Sequence, residues 1–105
     1  MTRVEFTVKI TSLLQMMIDA DENPIIDFVK RSDEEQNRLF DEHLSKCDGY
    51  IKISQHQRGK AMDIYFVDES TGYLHTPRKG FEYWHAKWQD MGGQPMIEWD
   101  KHHFE

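Results

Sequence analysis

Apolar residues recur every three or four positions early in the chain, at Ile10, Leu13, Leu14, Met17 and Ile18, which predicts an amphipathic helix over residues 9–20. Asp19 to Pro24 carries turn chemistry, and the run Ile25, Ile26, Phe28 and Val29 predicts a strand over residues 24–29. Ser32, followed three residues later by Glu35, forms a capping-box pattern that starts a second helix over residues 33–44. Its inner face would carry Gln36, Leu39, Phe40 and His43. Strand patterning returns at Tyr50–Ile53 and at Ala61–Val67, where Met62, Ile64 and Phe66 alternate with Asp63 and Tyr65. The polar stretch 68–80 reads as a loop, with a two-strand excursion around Gly72 as one option. Phe81, Trp84, Trp88 and Met91 predict a third, core-facing helix over 81–91, ended by Gly92-Gly93. Met96 to Trp99 and Phe104 predict a last short strand. The expected architecture is one small α+β domain over residues 1–105, with about three helices on an antiparallel sheet of three to four strands.

Composition narrows the function. With 105 residues, 38% hydrophobic, there is room for one core, so any active site must be built on it. The net charge of -6 and the lack of a clustered Lys/Arg face argue against a nucleic-acid partner. Cys47 is the only cysteine, which excludes an internal disulfide and reads as a part-buried small hydrophobe. No apolar run approaches the ~20 residues of a membrane span, so no membrane insertion is expected. Polar Lys9, Thr11, Ser12 and Gln15 interrupt the first apolar segment, and the expectation is synthesis in the cytoplasm without a signal peptide.

Two segments concentrate chemistry: Ser54-Gln55-His56-Gln57-Arg58-Gly59-Lys60-Ala61-Met62-Asp63 and Glu98-Trp99-Asp100-Lys101-His102-His103-Phe104-Glu105. Together they supply imidazoles and carboxylates, the ligand types that hold zinc in hydrolases while leaving one position for water. A further carboxylate beside such a site can take the water's proton, and Asp100, three residues before His103, is so placed. A cation, Arg31 or Arg58, would offset charge developing on a carbonyl oxygen. By spacing alone the same residues read more simply as a polar loop at His56, a local cap or pair at Asp63 and a solvated tail over residues 100–105.

The string Ser54-x-His56-x-x-Gly59-x-Ala61-x-Asp63 resembles the signature of the zinc peptidase family of D-Ala-D-Ala carboxypeptidases, D-Ala-D-Ala dipeptidases and phage L-Ala-D-Glu endolysins. Asp100-Lys101-His102-His103-Phe104-Glu105 resembles that family's closing element, and Arg31-Ser32-Asp33-Glu34-Glu35-Gln36 its upstream Arg-Ser/Thr-x-x-Glu-Gln segment. The resemblance covers roughly residues 10–105 and implies a fold shared with hedgehog signalling domains. It implies Zn2+ held by His56, Asp63 and His103, Asp100 as general base, and Arg31 polarising the scissile carbonyl. Ser54 and Gln36 would lie along the substrate.

His102 stands where the endolysins often carry proline, so adjacent imidazoles compete for one ligand position; the Asp-x-x-His-Phe-Glu register selects His103. In an extended segment the two rings point to opposite faces, so only one can join His56. Aspartate rather than glutamate at position 100 tilts the reading toward the endolysin-like branch. The resemblance thus implies a monomeric hydrolase of phage or prophage origin that cuts peptidoglycan stem peptides after release to the bacterial cell wall by a separate protein. A D-Ala-D-Ala carboxypeptidase or dipeptidase, and a non-catalytic zinc-binding module of the same fold, are the alternatives.

Overall fold

The computed structural model describes residues 1–27 and 58–105. Within them the chain runs α1 (Arg3–Asp19), β1 (Pro24–Asp27), β2 (Met62–Phe66), α2 (Phe81–Asp90) and β3 (His103–Phe104). This is an α+β arrangement of two helices on a three-stranded antiparallel sheet ordered β1-β2-β3. The predicted helix over 33–44, the strand at Tyr50–Ile53, Phe28, Val29 and Cys47 lie outside the described residues.

Helix α1 begins six residues earlier than the apolar stripe predicts, at Arg3 rather than residue 9. The cause is a capping box: the Thr2 hydroxyl accepts from Glu5 N at 3.0 Å while Glu5 Oε1 accepts from Thr2 N at 3.2 Å. That start adds Phe6 to the buried face of Ile10, Leu13 and Met17. Ile18, expected on the same stripe, is 55% exposed, one residue beyond the face that meets the core.

Strand β2 is the centre of the sheet, and its alternation is as the pattern predicts. Met62, Ile64 and Phe66 are buried beneath the helices. Asp63 and Tyr65 therefore share the opposite face. Helix α2 buries Trp84 and Trp88, and Phe6 meets the Trp88 ring edge-on at 5.7 Å. Phe81 and Met91 pack at the margin of this core.

After α2 the predicted strand at Met96–Trp99 is replaced by a tight turn: Ile97 and Asp100 form a single bridge, and Asp100 N donates to Ile97 O at 3.0 Å. A second turn, His103 N to Asp100 O at 3.1 Å, delivers the chain into β3. The excursion around Gly72 is likewise one bridge, Val67 to Leu74.

Gly93 is a close-approach position, because a Cβ there would overlap the Trp88 indole. Gly93→Ala should therefore destabilise the domain by about 1–3 kcal/mol, since the buried indole has little room to retreat. Chemical denaturation checks this, and a loss below about 0.5 kcal/mol would show that the indole shifts freely.

Candidate metal centre

The centre grows from strand register. β2 and β3 pair antiparallel with Asp63 directly opposite His103 and Met62 opposite Phe104. Cross-strand partners project to the same face, so burying Met62 and Phe104 in the core places Asp63 and His103 together on the other side. Upstream, Gly59 adopts φ +70, a conformation other residues rarely take, and Ala61 is fully buried as the chain enters β2. The two turns before β3 bring Asp100 back over the pair.

One ligand atom each from Asp63, Asp100 and His103 lie within 4.8 Å of one another, a group that can hold a metal ion. Asp63 is buried, His103 half-buried and Asp100 exposed, so the group opens to solvent on the Asp100 side. His103 Nδ1 stands 3.4 Å from Asp63 Oδ1. Two ligands at about 2.0–2.1 Å from a tetrahedral zinc are separated by about 3.4 Å, so this pair already has a suitable spacing. The donor set, one imidazole and two carboxylates, is of the kind zinc accepts.

The adjacent histidines take different partners, His102 in the turn that precedes β3 and His103 within the strand. His102 lies flat on Tyr65 at 4.1 Å, meets Phe81 edge-on at 5.0 Å, and donates Nδ1–H to Ile64 O at 2.9 Å. A carbonyl only accepts, so that nitrogen carries the proton. His103 faces the carboxylates.

Beneath the turn is His85 of α2, which no motif in the sequence singles out. It is 1% exposed, stacks on Phe104 at 4.0 Å, and donates Nε2–H to Lys101 O at 2.7 Å. Burial, only partly opposed by that bond, lowers its pKa, which favours the neutral ring. His85 thus ties α2 to the segment carrying Asp100 and His103. Asp27, opposite Asp63 in β1, adds a carboxylate to the same row across the sheet. Nothing in the local pattern at residues 24–27 distinguishes it from any polar strand end.

Of the residues named from sequence, Asp63, Asp100 and His103 are brought together. His56, Arg31, Ser54 and Gln36 lie outside the described residues. Arg58 is exposed in the turn that precedes β2.

His103 is flanked on both sides, with Nε2 at 3.3 Å from Glu105 Oε1. Burial alone would lower its pKa, but hydrogen bonds to Asp63 and Glu105 and their negative charges raise it from 6.5 to about 9. The charged ring is favoured in the folded, metal-free state, so its contribution is fully present below pH 6.5 and is lost as pH rises through about 9. Chelator-treated protein should therefore lose up to roughly 3 kcal/mol over this window, measured by urea melts. A flat profile would mean that the flanking carboxylates do not hold the ring.

No described helix is long and apolar enough to cross a membrane. No protein-family model, curated protein or solved structure matches the chain.

Proposed function

We propose that the protein is a zinc-dependent hydrolase of peptidoglycan stem peptides, with the L-Ala-D-Glu bond as its target. The observation that carries the reading is the convergence of Asp63 with Asp100 and His103 from two segments distant in the chain, in the order and spacing that the zinc peptidase signature implies. His56, the remaining ligand of that signature, completes the set. When bound, zinc supplies Lewis-acid activation of water at neutral pH.

The chain's own residues do the rest. Asp63 and His103 hold the metal from adjacent strands, a rigid platform that keeps their spacing. Asp100, on the solvent side, accepts the proton of the attacking water and returns it to the departing amine as the C–N bond breaks. Arg31 stabilises the negative charge gathering on the carbonyl oxygen. Ser54 and Gln36 orient the peptide.

A second reading has its own support. Asp63, His103 and Glu105 form a charge-paired row in which His103 is flanked on both sides, an arrangement that can be purely structural.

Digestion of purified peptidoglycan by zinc-loaded protein, with fragments identified by mass spectrometry, separates these. New N-terminal D-Glu on stem peptides, lost on chelation and restored by zinc, is the expected result. Free D-alanine would select the carboxypeptidase, no cleavage with zinc bound would leave a binding module, and no zinc binding would leave the structural row.

A further inference from the structure

The His103 ring offers two nitrogens, and only one can serve a metal held with Asp63. Nδ1 faces Asp63 Oδ1 at 3.4 Å, whereas Nε2 faces Glu105 Oε1 at 3.3 Å. A neutral imidazole has one protonated nitrogen and one lone pair, and which is which is decided by the partner of the protonated side. An ionised carboxylate accepts and cannot donate.

We propose that Glu105 is the positioning residue of this centre: its carboxylate accepts Nε2–H of His103 and thereby presents the Nδ1 lone pair toward Asp63. The inference rests on the metal-binding reading above and deepens it. From sequence alone Glu105 is a reserve candidate for the base. Its contact is instead with the ring nitrogen turned away from Asp63, where it orients a ligand.

The backbone around Glu105 is prepared for this task. Its carbonyl oxygen accepts from the Trp88 indole Nε1 at 2.8 Å and from Gln94 N at 2.6 Å. Trp88 is fully buried, so the origin of the Glu105 side chain is fixed to the core through its main chain. The Glu105 side chain is 25% exposed and that of His103 12%, so the pair is shielded but not sealed. Carboxylates in this relation to a metal-binding histidine fix its tautomer and increase its basicity, and their removal typically weakens metal binding about 10–100-fold.

Because the anchor is main chain, Glu105→Ala deletes the carboxylate and leaves the anchoring bonds in place, while Glu105→Gln keeps an oxygen that can accept Nε2–H. Zinc titrations against a competing chromophoric chelator should give one equivalent for all three proteins. Affinity should be about 10–100-fold weaker for Glu105→Ala, with most of the loss recovered in Glu105→Gln. Long-range 1H–15N spectra of the metal-free wild type, at a pH where the ring is neutral, should show the Nε2–H tautomer. Unchanged zinc affinity in Glu105→Ala, or a majority Nδ1–H tautomer in the wild type, would overturn the proposal. If the wild type binds no zinc, the metal reading fails by itself, and the tautomer spectrum still decides whether Glu105 orients the ring.

Discussion

Asp100→Asn should lower the rate of stem-peptide hydrolysis by about 10²–10⁴-fold while zinc stoichiometry stays near one. Asparagine preserves the size and shape of the side chain but cannot take a proton from water, so the substitution isolates proton transfer from everything else at the centre. Asp100 is exposed, and the main-chain bonds of its turn, Asp100 N to Ile97 O and His103 N to Asp100 O, do not involve the substituted atoms. Asp63→Ala is the contrasting case: it removes a buried group from the centre of the sheet and should lose metal and hydrolysis together. Rates and bound zinc measured on the same samples separate the outcomes. Full activity in Asp100→Asn would move the base elsewhere, with Glu98 the nearest remaining carboxylate in sequence that does not contact His103. Loss of zinc along with activity would make Asp100 a ligand rather than a base.

What could be read from sequence depended on whether the controlling interaction was local. The alternation of β2 was legible because period-two burial is written residue by residue: Met62, Ile64 and Phe66 are inside, so Asp63 must be on the other face. The start of α1 was equally local. Thr2-x-x-Glu5 is the same capping pattern that marks Ser32-x-x-Glu35, and it lies upstream of the apolar stripe at Ile10 to Ile18. The turn at residues 97–100 was not legible, since Met96, Ile97 and Trp99 have strand-like composition and only the pairing of Ile97 with Asp100 folds them back. The contacts of His85 and Glu105 were not legible for a related reason. They depend on how α2 and β3 meet, and no spacing rule within either segment encodes a bond from His85 to Lys101 O or from Glu105 to His103.

Glu22 is the strongest case of a residue whose role is long-range, and Glu22→Ala should cost about 3–5 kcal/mol of stability. In sequence it is one polar residue in a turn. In the structure it is 3% exposed at the exit of α1, where Asp21 at φ 61 turns the chain inward. Its Oε1 accepts from Arg78 N at 2.8 Å, and Oε2 accepts from Lys79 N at 3.2 Å and from the Trp84 indole Nε1 at 2.7 Å. One carboxyl group thereby joins the end of α1, the loop before α2 and the first turn of α2. The last of these lacks a side-chain cap of its own, because its N-cap is Gly80. A negative group beside a helix N-terminus is also favourable to the helix dipole. Truncation to alanine leaves two backbone N–H groups and a buried indole N–H without acceptors, each costing about 1–3 kcal/mol if water does not reach it. A domain of this size is stable by only about 5–15 kcal/mol, so the loss is a large share of the whole. The effect should also reach the metal centre, since α2 carries His85 and His85 holds the Lys101 carbonyl between Asp100 and His103. Urea denaturation of Glu22→Ala, paired with a zinc titration, tests both parts. A stability change below about 1 kcal/mol would mean that water replaces the carboxyl group at all three donors, and unchanged zinc affinity with a large stability loss would mean that α2 does not transmit its position to the turn.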